Sequence, residues 1–135
     1  LKLQAYKKIA QITSHEEAEE LIAELIDRYG DLPDVTIDLV RIAEIKCLAA
    51  ELGVKNISER GGRFVVEFNE DNNADAFTLV VAKQKFGEGL IISSGSNPYL
   101  SLQKTKEKPA DRILDLMTVM KGARLQGLAH SEMSN

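Results

Sequence analysis

The sequence predicts an α+β fold in which N-terminal helices precede two short β-hairpins, with one helix between the hairpins and one after them. Apolar residues recur at helical spacing up to residue 52 and at alternate positions just beyond it. Glycine and proline divide the remainder into short segments. A chain of 135 residues can bury one core without disulfides or metal. We therefore expect one compact domain over residues 1–127 and a frayed tail over 128–135.

Three helices are predicted in the first part of the chain. The first covers residues 2–12, and its expected apolar side is formed by Leu3, Tyr6, Ile9 and Ala10. The second begins after Ser14, because Glu17 follows at the spacing of a capping box, and it ends at Gly30. The third covers residues 33–52 and has apolar residues around most of its circumference, which predicts a central helix covered on several sides.

The remaining elements follow from turn signals. Gly61 and Gly62 lie between two segments of alternating pattern, which predicts a hairpin with strands at 54–58 and 63–68. Residues 71–73 (Asp-Asn-Asn) are expected to cap a helix from 74 to 86. Strands are predicted at 90–92 and 99–102, on either side of a loop at 93–98. Pro109 is expected to begin a last helix that ends near Leu125.

Composition excludes several classes of protein. Hydrophobic residues make up 44% and charged residues 28% of the chain, as in ordinary globular domains. The net charge of −4 and the absence of tryptophan argue against a protein that itself grips nucleic acid. The single cysteine, Cys47, and the lack of a signal peptide or long apolar segment favour a cytoplasmic protein. Because the chain does not begin with methionine, we expect it to be part of a longer protein.

No pattern in the sequence indicates a catalytic, cofactor or metal site. Phosphate-binding and dinucleotide-binding glycine motifs are absent, and the cluster Gly87-Glu88-Gly89 is expected to be a turn. His15 and His130 lie far apart, whereas zinc needs three or four clustered ligands. The paired carboxylates lie on an exposed helix face, where we expect nothing to shift their pKa values. The chain is therefore expected not to be an enzyme and to hold no cofactor.

The strongest feature of the sequence is the segregation of charge. Residues 13–34 contain eight carboxylates and a single base, Arg28, which is expected to pair with a neighbouring carboxylate. At about 100° per residue, four of the carboxylates form one narrow stripe that points away from Leu21 and Leu25. The stripe consists of Glu17, Glu20, Glu24 and Asp27. It is either a solvated helix face or a docking surface for a basic partner.

The segment from Glu24 to Asp34, E-L-I-D-R-Y-G-D-L-P-D, closely resembles the "ELIDRFG-LP" segment in the C-terminal domain of bacterial transcription-repair coupling factors. The segments Y-K-K-I-A at 6–10, L-G-V at 52–54 and V-E-F at 66–68 fit the same family. The resemblance is dense from Leu3 to Phe68 and thin beyond it. Tyr29 replaces a phenylalanine of the family, and the 93–98 loop has no match.

The resemblance implies a non-catalytic regulatory module of an ATP-driven DNA translocase that couples stalled transcription to nucleotide excision repair. In that family the C-terminal domain is an autoinhibitory clamp. It masks the module that binds the damage-recognition protein UvrA, and restrains the motor, until RNA polymerase is engaged. The inhibitory carboxylates correspond to Glu24 and Asp27, facing arginines of the masked module. ATP, magnesium and double-stranded DNA are bound by other parts of the parent protein.

Three other interpretations compete with this one. A stand-alone acidic adaptor would bind a basic protein in trans, with salt-sensitive affinity. A small-molecule or enzymatic site between the hairpins and the last helix would need a convergent polar cluster, which the sequence does not offer. Direct DNA binding would rest on the bases of the second half, which are Lys104, Lys106, Lys108, Arg112, Lys121 and Arg124.

Overall fold

The predicted α+β class is confirmed by a computed structural model, which describes the backbone of residues 1–70 and 75–134 and the side chains through residue 129. Within these residues, five α-helices and four strands follow one another in the predicted order. The helices are α1 (Leu3–Ala10), α2 (His15–Tyr29), α3 (Asp34–Leu52), α4 (Ala76–Phe86) and α5 (Pro109–Ser134). The strands are β1 (Val54–Arg60), β2 (Arg63–Phe68), β3 (Leu90–Ser93) and β4 (Tyr99–Gln103).

The chain divides into two compact units, and the division falls inside α3. The N-terminal unit is Leu1–Cys47 and the C-terminal unit is Leu48–Asn135. Within the described residues, no helix is long and apolar enough to span a membrane.

The core of the N-terminal unit lies among α1, α2 and the first part of α3. It consists of Ala5, Ile9, Ile12, Ala18, Leu21, Leu25 and Val40. The prediction of the apolar side of α1 is mostly wrong, because Leu3, Tyr6 and Ala10 are exposed. Of the four predicted residues only Ile9 is buried, and Ala5 is buried with it. Ala5 and Ile9 lie four residues apart on one side of α1, and Ile12 joins the same core from the segment that follows the helix.

Helix α3 is less enclosed than its sequence predicts. Val35, Leu39 and Ile42 are exposed, at spacings of four and three residues that place them on one face of the helix. An apolar pattern around the whole helix therefore does not mean burial on every side. Another face of α3 carries Val40 and the charged Glu44, both buried.

The C-terminal unit contains a four-stranded antiparallel sheet in the order β1-β2-β4-β3. Both predicted hairpins are present, and β2 and β4 join them at the centre. The β1–β2 connection is Gly61-Gly62, and both glycines have positive φ (56° and 77°). Such backbone angles match the primed turns that suit tight hairpins.

One face of this sheet packs against α4 and α5. The buried strand residues of this core are Phe64, Val66, Phe68, Leu90, Leu100 and Leu102. They pack with Ala82 of α4 and with Leu116, Met117 and Met120 of α5. Alternate strand residues thus supply one apolar layer and two helices cover it.

The described part of α4 begins at Ala76, two residues after the predicted start. The cap of α4 is Asp75, whose side chain accepts a hydrogen bond from the Thr78 amide at 2.7 Å. The predicted cap at 71–73 and the predicted start at residue 74 lie outside the described residues.

Helix α5 continues past the predicted end at Leu125 to Ser134. Gly127 does not end the helix, and a Cβ there would lie only 3.2 Å from the Phe77 ring, so its small size admits that ring. The side chains of most of the 128–135 tail lie outside the described residues, and its fraying stays a prediction.

Candidate docking face on the second helix

The N-terminus of α2 is capped as the sequence predicts, and this fixes where the acidic stripe begins. The Ser14 hydroxyl accepts a hydrogen bond from the Glu17 amide at 3.1 Å. In return, the Glu17 carboxylate accepts from the amide and hydroxyl of Thr13, at 2.9 and 3.0 Å. The return bond reaches Thr13 and not Ser14, one residue earlier than in the usual capping box. Glu17 is therefore largely occupied in holding the helix start.

The stripe faces away from the core of the N-terminal unit. Ala18, Leu21 and Leu25 bury the opposite side of α2. Glu17, Glu20 and Asp27 are exposed, and the Glu24 side chain keeps 39% of its surface accessible. The predicted geometry of the four carboxylates is thus present in the structure.

Glu24 is not a free carboxylate, and this corrects the expectation that nothing shifts its pKa. Lys8 of α1 places its Nζ 2.7 Å from Glu24 Oε1. Arg28 places Nη2 3.7 Å from the same oxygen, which is the pairing expected for Arg28. The hydrogen bond and the charge of Lys8 lower the pKa of Glu24 below its ordinary value of 4.5. Desolvation opposes them, and the charge of Arg28 makes the smallest contribution.

The other two stripe carboxylates are available to a partner. Among the described residues, nothing donates a hydrogen bond to Glu20 or Asp27, and no cation pairs with them. The stripe therefore contains two occupied carboxylates, Glu17 and Glu24, and two that face solvent alone.

A groove runs between α1 and α2 beside the stripe. Its volume is about 320 Å³, and its lining combines apolar and charged side chains. Ile12 and Leu21 supply the apolar part, and the polar part comes from Lys8, Gln11, Glu17, Glu20 and Glu24. Such a lining suits a long side chain with an aliphatic stem and a cationic head.

Sequence reasoning missed a second charged cluster, which joins α2 to α3. Arg41 Nη1 lies 2.7 Å from Glu19 Oε1 and 2.8 Å from Glu44 Oε2. His15 Nδ1 lies 2.5 Å from the other oxygen of Glu44. A glutamate among the apolar residues of the third helix, three residues after an arginine, was the signal that could have revealed this cluster.

Most of the bases in the second half of the chain are engaged within the C-terminal unit. Lys104 pairs with Glu59 at 2.5 Å, and Lys121 pairs with Glu51 at 2.6 Å. Arg112 and Arg124 donate hydrogen bonds to backbone carbonyls. Lys108 also has an interaction partner, and Lys106 is exposed. These contacts stabilise the unit and give the direct-DNA interpretation no support.

No group of three or more histidine, cysteine, aspartate or glutamate side chains within the described part of the chain could hold a metal ion. Cys47 donates its thiol to the Ile12 carbonyl at a distance of 2.9 Å. This bond links α3 to the segment that follows α1, and the cysteine therefore has a packing role.

Comparison with known proteins gives one consistent result. The TRCF domain family model matches residues 1–79, more than half of the chain. The transcription-repair-coupling factor of Escherichia coli is 40% identical over 86 residues, which cover 62% of this chain and 7% of that protein. The Buchnera aphidicola factor is 35% identical over 80 residues, covering 59% and 10% respectively. The chain thus spans a tenth or less of the length of these relatives.

A solved structure extends the similarity to the C-terminal half, where the sequence resemblance is thin. The crystal structure of the C-terminal domain of transcription-repair coupling factor matches with a TM-score of 0.77 and 25% identity. The match covers 93% of this chain and 79% of that one. The chain belongs to the TRCF domain family and corresponds to the C-terminal domain of transcription-repair coupling factors.

Proposed function

We propose that this chain is a non-catalytic regulatory module of a transcription-repair coupling factor, and that it docks through the acidic stripe on the UvrA-binding module of the same protein. The observation that carries the proposal is the placement of four carboxylates on one solvent-facing side of α2, opposite its buried side. The docked state masks the surface that recruits UvrA and restrains the motor until RNA polymerase is engaged.

The chemistry of the stripe supports arginines as its partners. Glu20, Glu24 and Asp27 lie about one helical turn apart. Carboxylates accept paired hydrogen bonds from a guanidinium, and these charge-assisted bonds are stronger than neutral ones. A row of carboxylates therefore suits a basic surface with several arginines.

A latch of this kind needs only moderate strength. Coupling between two sites in one protein is typically about 5- to 150-fold in affinity. Tethering within one chain raises the effective concentration of the partner and removes the need for tight intrinsic binding. A few exposed charge pairs can therefore hold the closed state, and engagement with polymerase or DNA can open it.

The remaining activities of a coupling factor are assigned to other parts of the parent protein. We place ATP and magnesium in its motor domains, and contacts with RNA polymerase, UvrA and double-stranded DNA outside this chain. For the chain itself we propose no cofactor and a cytoplasmic location.

Affinity for UvrA in the complete coupling factor tests the proposal. The double variant Glu24→Ala and Asp27→Ala should bind UvrA more tightly than the unmodified protein, because the masked surface is released. A matched control removes two exposed carboxylates of the C-terminal unit, Glu59→Ala and Glu88→Ala, and should leave that affinity unchanged. Equal affinities for the stripe variant and the unmodified protein would overturn the proposal.

An NMR titration of this chain with the UvrA-binding module distinguishes docking from the stand-alone adaptor. If the proposed docking is correct, signals of residues 17–27 should shift, and the shifts should weaken as salt rises. If those signals stay unchanged while a different basic protein moves them, the stand-alone adaptor is favoured.

A further inference from the structure

We infer that Lys8 occupies, within the free domain, the position on Glu24 that an arginine of the docking partner takes in the closed state. Lys8 therefore competes with the partner and weakens docking. The inference rests on the proposed function and adds the residue that sets its strength.

The first step is the geometry of Glu24. A guanidinium that binds a carboxylate through two parallel hydrogen bonds needs both carboxylate oxygens. In the free domain, Lys8 Nζ lies 2.7 Å from Oε1, and the weaker Arg28 contact reaches the same oxygen. Oε1 therefore already has two cations beside it, and a partner arginine that pairs with both oxygens meets the Lys8 ammonium there. The arginine binds at the full strength of the paired geometry when Lys8 withdraws, because like charges that share one oxygen repel each other.

The second step is that Lys8 can leave without disturbing the fold. Helix α1 is anchored by the buried Ala5 and Ile9. The Lys8 side chain is 49% accessible, and its contact with Glu24 is made by the terminal ammonium of a flexible stem. Release of Lys8 is therefore a side-chain rotation, and α1 keeps its position.

The third step is that the groove between α1 and α2 has room for the incoming group. Its volume of about 320 Å³ exceeds that of a single side chain. Ile12 and Leu21 offer apolar contact for the methylene groups of an arginine. Glu20, which no described cation pairs with, lies on the same groove and can accept hydrogen bonds from the same or a second guanidinium.

The fourth step is the chemistry that distinguishes the two cations. Lysine presents a strongly hydrated point charge, whereas arginine presents a planar fork that matches a carboxylate. Exchange of Lys8 for a partner arginine therefore replaces a single hydrogen bond with a paired one. The partner arginine gains the paired hydrogen bond. Its net affinity is lower than it would be without Lys8, because the Lys8–Glu24 contact stabilises the undocked domain.

The test compares two lysines of α1 in the complete coupling factor. Lys8→Gln removes the competitor, and Lys7→Gln removes the same charge from the exposed neighbouring position. Lys8→Gln should strengthen docking, and so reduce affinity for UvrA, by about two- to five-fold. Lys7→Gln should have a smaller effect, because it changes only the screened field around the stripe. Lys8→Arg, which preserves the contact, should not strengthen docking.

The variant with Glu24→Ala and Asp27→Ala separates the two ideas. If this variant raises UvrA affinity but Lys8→Gln and Lys7→Gln change that affinity by the same factor, the proposed docking is retained and the proposed competition by Lys8 is overturned. If the stripe variant changes nothing, the proposed function fails and the inference fails with it. A larger effect of Lys8→Gln than of Lys7→Gln, together with an active stripe variant, supports the competition.

Discussion

Arg41 Nη1 lies 2.8 Å from Glu44 Oε2, and the Glu44 side chain is only 3% accessible. Burial alone would lower the pKa of Arg41, but the hydrogen bonds that Arg41 donates to Glu44 and Glu19, together with the charges of these carboxylates, outweigh it and raise that pKa. The guanidinium therefore stays charged and joins a buried carboxylate of α3 to an exposed carboxylate of α2. This contact helps to fix the helix that carries the acidic stripe.

Replacement of Glu44 by alanine should destabilise the N-terminal unit by about 1–3 kcal/mol, because it leaves Arg41 and His15 without their shared partner. Chemical denaturation followed by the NMR signals of this unit measures the change. Glu19→Ala removes the exposed partner of Arg41 and should cost less than about 1 kcal/mol. Equal costs for the two variants would show that burial of Glu44 has no special importance.

Short-range sequence patterns predicted most of the fold, because residues close in sequence determine where helices are capped, where hairpins turn and which strand residues alternate. Ser14 and Gly30 bound α2 as expected, and Gly61-Gly62 forms the predicted turn. The errors arose where distant residues decide. The α5 helix extends past Leu125, and nothing near Gly127 in sequence reveals the Phe77 ring that packs on it.

The candidate site, like the fold, was predictable where residues close in sequence determine it. The spacing of carboxylates along one helix placed all four stripe residues correctly on one face. The capping contact of Glu17 and the pairing of Arg28 were predictable, but the Lys8 partner of Glu24 was not, because Lys8 lies sixteen residues from Glu24 and on another helix. A basic first helix beside an acidic second helix is a signal for such a pair, but it does not say which lysine pairs with which glutamate.

The pKa of Glu24 should rise toward its ordinary value when Lys8 is replaced by glutamine. The Lys8 contact lowers the pKa of Glu24 in the folded chain, so the contact stabilises the fold at pH values above the pKa that Glu24 has in the unfolded chain. This stabilisation is lost as the pH falls through the lower pKa that Glu24 has in the folded chain. Side-chain carboxyl NMR shifts recorded from pH 2 to 7 in the two proteins measure the difference. An unchanged pKa in Lys8→Gln would show that the contact is absent in solution.

The Glu107→Gln variant should be slightly more stable than the unmodified chain at neutral pH. A hydrogen bond with Asp115 raises the pKa of Glu107, with further contributions from burial and from the Asp115 charge. Because the pKa of Glu107 is higher in the folded chain than in the unfolded chain, protonated Glu107 stabilises the fold at low pH. This stabilisation is lost as the pH rises through the pKa that Glu107 has in the folded chain. Glutamine retains a donor and removes the repulsion, so Tm at pH 7 should rise by about 1 °C. At pH 3 the gain should disappear, whereas Glu88→Gln should produce no gain at either pH.

Two leucines on α5 test the assignment of the core of the C-terminal unit. Leu116 is fully buried and Leu125 is 58% accessible. Leu116→Ala should destabilise the unit by about 2–5 kcal/mol, because it removes apolar contacts and leaves a cavity. The identical change at Leu125 should cost less than about 1 kcal/mol. Urea denaturation of both variants provides the comparison, and similar losses would contradict the packing of α5 on the sheet.

Three of the stripe residues should separate into two classes when they are replaced one at a time. Glu17 holds the start of α2 through Thr13, so Glu17→Ala should cost about 0.5–2 kcal/mol of stability. Glu20 and Asp27 pair with nothing among the described residues, so Glu20→Ala and Asp27→Ala should change the free energy of unfolding by less than about 0.5 kcal/mol.

Loss of Glu20 or Asp27 should instead raise UvrA affinity in the complete coupling factor, since these two carboxylates are free to meet a partner. Thermal unfolding and UvrA binding, measured on the same three variants, separate the two effects. If Glu17→Ala alone altered UvrA binding, the capped end of α2 would be the docking contact and the exposed middle of the stripe would not.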